Sequence, residues 1–357
     1  MKTLLVGDIH LKAQIILPMV EQKIRHLSCY RVILLGDYMD AYNQNRNISL
    51  YMDELDYILM WQSKMQVLGV EVITLMGNHD APYLINQPKM FSIRDADGFI
   101  RVKKKLLKLK LQIAFLLDEY VVSHAGYTQD YDLEDWHLTI LNENTLEKVD
   151  WLDKHVGASR GGEYLSGSPL WADFEQELCM FPNPNYPKQI VGHTPQRQIH
   201  IMEKSNFSIA GIDTFQVTPI KTAPYYELFG NGEILLYEND TLCPVDLDWE
   251  NESVIKKIDS NFYRSGRIAV VGGIIFDFEK WSVTVNKKEF LLTNEEFDIF
   301  VYLFEREGKE VLEKDLETEI LYKYEKIDSV NDVIFRLNSK IQSVVISPGN
   351  KFTFRLK

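Results

Sequence analysis

One pattern recurs five times in the first two-thirds of this chain: a short apolar run, a tight turn, then an Asp, Asn or His. Leu4-Leu5-Val6 leads into Gly7-Asp8-Ile9-His10, and Val32-Ile33-Leu34 into Gly36-Asp37-Tyr38-Met39-Asp40. Val72-Ile73-Thr74-Leu75 leads into Gly77-Asn78-His79-Asp80, Val121-Val122 into Ser123-His124-Ala125-Gly126, and Gln189-Ile190-Val191 into Gly192-His193-Thr194-Pro195. Each reads as a buried strand that ends abruptly. Between the first two runs, Ile16, Met19, Val20, Ile24 and Leu27 recur at helical intervals over residues 13–28, and a second helix is expected from Leu50 to about Val67. Strand-helix-strand units imply a parallel sheet, and such sheets gather ligands at the carboxyl ends of their strands. The fold must therefore deliver carboxylates and imidazoles to one edge. That combination reads as a metal site.

Length and charge narrow the alternatives. At 357 residues the chain suits two cores rather than one. A net charge of -13 argues against broad electrostatic capture of nucleic acid. No apolar run approaches the roughly 18 residues that span a bilayer, and the N-terminus turns polar too early for a signal peptide. Cys29, Cys179 and Cys243 have neither metal-ligand spacing nor an even framework, so they read as reduced thiols in a cytoplasmic protein. Residues 101–110 form a basic run, read as a solvated helix face, and residues 111–123 a strand pair. Residues 127–187 are irregular and read as an insertion or lid, and 208–245 as sheet-rich. The composition turns polar near 246–266. The expected division is a domain over 1–248, a linker over 249–267 and a second domain over 268–357.

Two divalent cations about 3.5–4 Å apart need a bridging carboxylate and neutral donors to complete each shell. Asp37 suits the bridge. Asp8 and His10, on one side of an extended loop if the chain alternates there, would complete one ion, and Asn78, His124 and His193 the other. Nitrogen and oxygen donors without Cys favour Mn, with Fe or Zn as alternatives, over Mg or Ca. A hydroxide shared by the ions would attack phosphorus in line. His79 is placed to protonate the leaving oxygen, with Asp40 orienting its ring.

These motifs, in this order and with Ile212-Asp213-Thr214 after the last histidine, resemble the calcineurin-like metallophosphoesterases. The spacing is closest to their phosphoprotein phosphatase branch, of bacterial or phage type, which includes Ser/Thr/Tyr phosphatases and symmetrical diadenosine tetraphosphate hydrolases. The resemblance covers about residues 1–245. It implies an α/β fold of the α+β sandwich type, with mixed sheets flanked by helices, and the metal and acid roles given above. Two positions depart from it. The family's phosphate-binding Arg after Gly-Asp-x-x-Asp is Ala41 here, and the Arg that many members have after Leu-Trp-x is Asp173. Asn43, Arg46 and Arg160 are the candidates to replace them.

Residues 268–357 resemble the winged-helix effector domain of OmpR/PhoB-type regulators. The carriers are short strands, Leu291-Leu292-Thr293-x-x-Glu296-Phe297, three helices and a terminal hairpin. The segment 330–340 stands where that family has its recognition helix. Arg336 and Lys340 are its candidate nucleic-acid contacts, but 13 Lys and Arg face 16 Asp and Glu over 271–357. A DNA-reading surface is locally basic, so a protein-docking or dimerising role is preferred. The expectation is a metal-dependent phosphoesterase, foremost a Ser/Thr-type protein phosphatase with a winged-helix targeting module. A nucleotide or dinucleotide polyphosphate hydrolase, or a DNA-associated regulator or nuclease, is the alternative.

Overall fold

The structure is a computed structural model. It describes residues 2–42, 44–45, 47–220, 226–259, 267–270, 274–277, 281–285, 288–306, 308–321, 324, 329–342, 344–347 and 351–354. The chain forms two compact units, Met1–Phe262 and Tyr263–Lys357.

The first unit begins with β1 (Lys2–Val6), α1 (Ala13–Leu27), β2 (Arg31–Leu34), α2 (Ile48–Val67) and β3 (Glu71–Thr74). β1, β2 and β3 are parallel neighbours, as the strand-helix-strand reading requires. After the short α3 (Ala81–Leu84) and α4 (Ala96–Leu106) comes the hairpin β4 (Ala114–Leu117) and β5 (Tyr120–Ser123). α5 (Leu146–Lys154) interrupts the irregular insertion, and β6 (Lys188–Pro195), β7 (His200–Lys204) and β8 (Phe207–Asp213) follow. A small pair, β9 (Val217–Pro219) and β10 (Tyr226–Leu228), precedes β11 (Ile234–Glu238) and β12 (Thr241–Val245).

Among the described residues these strands build two five-stranded sheets, ordered β12-β11-β1-β2-β3 and β4-β5-β6-β8-β7. Both are mixed, because β11 pairs antiparallel with β1 and β7 with β8, whereas β6 is parallel to β5 and to β8. Leu5, Ile33 and Leu235 of one sheet share a core with Val122, Ile190, Ala210 and Ile212 of the other. Burying a side chain of this size is worth about 1.5–3 kcal/mol. All but the first residue of β1 is buried, as expected of a strand covered on both faces.

Local chemistry sets the helix ends. The Asn47 side chain accepts from Leu50 N–H at the start of α2, and Asp95 caps α4. Arg101, Lys104, Lys108 and Lys110 of the basic run are exposed, the solvated face expected of it. One expectation changes here. Part of the segment expected as a linker is α6 (Glu252–Ile258), which belongs to the first unit and lies near α1. Its Val254 and Ile258 are buried, and Trp249 just before it is buried too. Two apolar residues one turn apart were too weak a pattern to stand out from the surrounding charge.

The second unit runs β13 (Arg267–Val270), β14 (Ile274–Asp277), β15 (Ser282–Val285), β16 (Lys288–Leu291), α7 (Asn294–Glu305), β17 (Val311–Leu312), α8 (Glu313–Glu319), α9 (Val330–Ile341), β18 (Val344–Ser347) and β19 (Lys351–Phe354). The first four strands form an antiparallel sheet, and β17-β19-β18 a second. Phe276, Phe297, Phe300, Leu316, Ile334, Leu337 and Phe352 meet in one core. α7 opens with the capping box read from the sequence: Thr293 Oγ1 accepts from Glu296 N–H, and Glu296 Oε2 from Thr293 N–H.

Candidate metal centre

Because β1, β2 and β3 are parallel, Asp8, Asp37 and Asn78 follow strands that end on the same side of one sheet. His124 follows β5 of the other. His193 differs from its expected place beyond a strand end. It lies within β6, where the register to β8 shifts between Val191 and Pro195 and its own φ is +63°. The irregularity swings its side chain towards Asn78.

The ligand loops are not extended. His10, Asp37 and Asp40 have φ of +44°, +60° for Asp40 and +49° for Asp37, so the alternation argument for Asp8 and His10 does not hold. Their approach comes instead from a left-handed turn that Asp and His tolerate better than most residues. Such conformations cost of order 1–3 kcal/mol each and persist where tertiary contacts over-determine them. Two glycines allow the loops to close on each other. Gly36, at φ +108°, packs on the Gly77 backbone, and a Cβ on Gly77 would overlap the Asp37 carboxylate.

Two triads result, Asp8–His10–Asp37 and Asp37–His124–His193, each with ligand atoms within 4.8 Å of one another. Asp37 belongs to both. Its Oδ2 lies 3.6 Å from His10 Nε2 and 3.5 Å from His124 Nε2. Asn78 Oδ1 is 2.9 Å from both His124 Nε2 and His193 Nδ1.

Backbone carbonyls decide which ring nitrogens carry hydrogen. His10 Nδ1 donates to the Asp40 carbonyl at 2.8 Å, and His124 Nδ1 to the Leu35 carbonyl at 2.9 Å. A carbonyl can only accept, so in the neutral rings both Nε2 atoms present lone pairs inward. Such outer hydrogen bonds are how metal-bound histidines are oriented. The His124 lone pair then faces oxygens of Asn78 and Asp37, an arrangement of acceptors against acceptors that a cation relieves.

The titration behaviour agrees. Burial, then the Asp213 charge, holds the Asp8 carboxyl well above its usual range; burial and Asp8 do the same for Asp37. Burial pushes His124 down to about 3, and lowers His10 and His193 as well. Neutral imidazoles and crowded carboxylates are the donor set that a divalent cation binds.

Beside the triads, His79 Nδ1 is 3.2 Å from Asp40 Oδ2. Its ring packs on Phe91, with centroids 4.0 Å apart. Burial, then the Lys89 charge, lowers His79 to about 3, while burial raises Asp40 to about 7 against the pull of the Tyr83 and Tyr51 hydroxyls. Both shifts favour the neutral form of each partner, because burial disfavours a charge on either. The contact uses Nδ1 and leaves Nε2 on the far side of the ring.

Of the candidate substrate-binding residues, Asn43 and Arg46 lie outside the described residues. Arg160 lies in a turn of the insertion, where Nη2 donates to Thr194 Oγ1 at 2.8 Å and sits 3.1 Å from Asp173 Oδ2. Its Nε is buried without a partner. Asp173, standing where many relatives have Arg, therefore holds an Arg in place. Glu177 organises that turn, accepting from Ser159, Gly167 and Asp173 N–H. In the second unit, Lys340 Nζ lies 2.6 Å and Arg336 Nε 3.4 Å from the fully buried Glu296 carboxylate. Both candidate nucleic-acid contacts are thus drawn to one internal anion.

Several residues were missed by sequence reasoning. Asp80 Oδ1 accepts from Tyr38 and Met39 N–H at 3.0 and 3.3 Å, and Oδ2 from Gly77 N–H at 3.0 Å, stitching the β2 loop to the β3 loop. Its place in Gly-Asn-His-Asp was the available signal. Lys89 is held by Asp153 at 2.6 Å and lies over the Trp171 ring, which meets the His193 ring edge to face. Nothing local marked that trio.

A mixed-sheet sandwich with a shared carboxylate between two Asp/His triads is the architecture of a metal-dependent phosphoesterase. The sequence profile of the calcineurin-like phosphoesterase family matches residues 1–197. The chain belongs to that family, and it is a metal-dependent hydrolase of phosphate esters. The family's dinuclear divalent-metal centre fits the groups assembled here.

Among solved structures the chain is similar to the cold-active protein-tyrosine phosphatase of a psychrophilic Shewanella species. The identity is 18%, over 69% of this chain and 78% of that one, with a TM-score of 0.46. A protein serine/threonine phosphatase from Saccharomyces cerevisiae is 16% identical over 68% and 78% of the two chains, with a TM-score of 0.39. A protein described as a diadenosine tetraphosphatase is 15% identical over 69% and 93%, with a TM-score of 0.35. No curated protein matches the sequence. No described helix is long and apolar enough to cross a membrane.

Proposed function

We propose that this chain is a two-metal protein phosphatase, acting on phosphoserine or phosphothreonine and using Mn²⁺. In this reading Asp8, His10 and Asp37 hold one ion, and Asp37, Asn78, His124 and His193 the other. One observation carries the two-metal part of this reading: the single oxygen Asp37 Oδ2 stands nearly equidistant from His10 Nε2 and His124 Nε2, at 3.6 and 3.5 Å. Two ions bound there supply Lewis acidity towards the phosphoryl oxygens and acidify a water. The chain's own residues do the remainder. Arg160, held by Thr194 and Asp173, offers its remaining guanidinium donors to a phosphoryl oxygen. His79, oriented through Nδ1 by Asp40, gives the Nε2 proton to the departing oxygen. Phe91 covers the His79 ring and limits water there.

For the C-terminal unit we propose a winged-helix module of OmpR/PhoB type over 268–357, following a phosphoesterase domain over 1–248. The order of four strands, helix, strand, two helices and hairpin supports it. The pairing of Arg336 and Lys340 with Glu296 favours a protein-docking or dimerising module over one that reads DNA. The buried Cys29 and Cys179 and the exposed Cys243 are free thiols, which suits a reducing cytoplasm. A second reading, hydrolysis of a nucleotide or dinucleotide polyphosphate, is favoured by Lys89, a fixed cation on the His79 side where a leaving phosphate would sit.

The test is hydrolysis of p-nitrophenyl phosphate and bis-p-nitrophenyl phosphate with Mn²⁺, comparing wild type with Asp37→Asn and His79→Ala. Monoester cleavage that Asp37→Asn abolishes and His79→Ala weakens supports the mechanism, and activity retained by Asp37→Asn overturns it. Phosphopeptides beside diadenosine tetraphosphate then separate the two substrate readings.

A further inference from the structure

The carboxylate that orients His79 is itself clamped. Asp40 Oδ1 accepts from Tyr51 Oη at 2.7 Å and from Tyr83 Oη at 2.5 Å, while Oδ2 faces His79 Nδ1. Tyr51 lies on α2 and Tyr83 on α3, so two separate elements converge on one oxygen. Tyr83 Oη also accepts from Ile93 N–H at 2.9 Å. That bond occupies a lone pair and directs the tyrosine's own hydrogen at Asp40. Both phenols are fully buried, and burial together with the facing carboxylate keeps them protonated as donors.

Geometry alone gives this clamp something to do. Asp40 follows a left-handed backbone at φ +60° and is nearly fully buried, so no water competes for Oδ1. A carboxylate with one oxygen bonded only to His79 could swing about its χ2 axis. Two hydroxyl donors on the other oxygen remove that freedom and fix the direction from which Oδ2 meets Nδ1. The imidazole is thereby held with Nε2 pointing away from Asp40, and the Phe91 ring limits its tilt from the side.

We infer that Tyr51 and Tyr83 are positioning residues for proton transfer by the His79–Asp40 pair, and that they govern how well the enzyme expels a poor leaving group. The inference rests on the reading of His79 as the proton donor. Among the described residues neither tyrosine hydrogen-bonds a side chain of the metal triads, so their removal is expected to leave metal binding in place. Its consequence is selective. An ester whose leaving group departs readily as an anion needs little protonation, whereas a phenyl or alkyl ester needs a well-aimed acid.

The experiment uses the full Mn²⁺-loaded chain with Tyr51→Phe, Tyr83→Phe and the double variant, on p-nitrophenyl phosphate and on phenyl phosphate. Mn²⁺ affinity is read in parallel by calorimetry. General acid catalysis contributes roughly 10²–10⁴-fold, so loss of aim is expected to cost the double variant about tenfold more in kcat on phenyl phosphate than on the nitrophenyl ester. Mn²⁺ affinity stays at the wild-type value. Equal losses on both esters, or no loss on either, overturn the inference, because a merely structural role weakens both alike. His79→Asn is the control. If it too loses both esters equally, the acid assignment itself fails. If His79→Asn is selective and the tyrosine variants are not, only the clamp is refuted. Should the double variant not fold, the single variants carry the same comparison.

Discussion

Replacing Asp80 by Ala tests whether one buried carboxylate holds the two metal loops together. The side chain is fully buried and satisfies three backbone donors, Tyr38, Met39 and Gly77 N–H. Alanine leaves all three without partners, and each buried unsatisfied donor costs about 1–3 kcal/mol. The costs do not add fully, since one relaxing loop or one entering water relieves more than one donor, so about 3 kcal/mol is expected. Against this stands the cost of burying the charge. Burial raises Asp80 to about 7 despite those hydrogen bonds, so the ionised carboxylate is penalised above that pH. A group with a raised folded-state pKa stabilises fully below its unfolded pKa and loses that contribution as pH rises through the folded value. The loss caused by Asp80→Ala should therefore be larger at pH 6 than at pH 8. Urea unfolding of the chelator-treated protein at both pH values measures it, and calorimetric Mn²⁺ titration reads the displaced Asp37 and Asn78. A variant within about 0.5 kcal/mol of wild type, with unchanged Mn²⁺ affinity, would refute the stitch.

Three further outcomes follow from the same contacts. Gly77→Ala forces a methyl into the Asp37 carboxylate and should destabilise by about 1–3 kcal/mol while weakening Mn²⁺ binding, read by thermal melts with and without the ion. Glu296→Gln removes the buried anion shared by Arg336 and Lys340. It should lower the stability of the C-terminal unit, and a gain of salt-sensitive duplex DNA binding in a gel shift would show that internal pairing had masked those cations. In the metal-free protein, Glu54 and Asp80 are both raised to about 7 by burial, so stability should fall between about pH 4 and pH 7. Added Mn²⁺ should flatten that fall, because bound cations favour the ionised carboxylates of the site.

Much of the site was legible in the sequence because its donors sit next to strong local signals. A strand followed by Gly-Asp or Gly-Asn-His is a pattern of adjacent residues, and parallel strands bring such patterns to one edge by topology alone. α1, α2 and the α7 capping box were legible for the same reason: periodicity and caps are encoded within a few residues of where they act. α6 was not, since its two buried side chains are outnumbered by charged neighbours.

By itself, then, the sequence determined which donors exist, in what order the strands present them, and that three of the parallel strands would present theirs together. Only the tertiary structure decided how those donors are held. The left-handed turns at His10, Asp37, Asp40 and His193, the carbonyls that set two imidazole tautomers, the Asp80 stitch, the Tyr51–Tyr83 clamp and the tether of Arg160 to Asp173 all join residues distant in the chain or depend on such joins. Hydrogen bonds of this kind are specified by where folded backbones pass one another. No spacing rule along a single stretch carries that information, because the partner's position exists only once both sheets have packed.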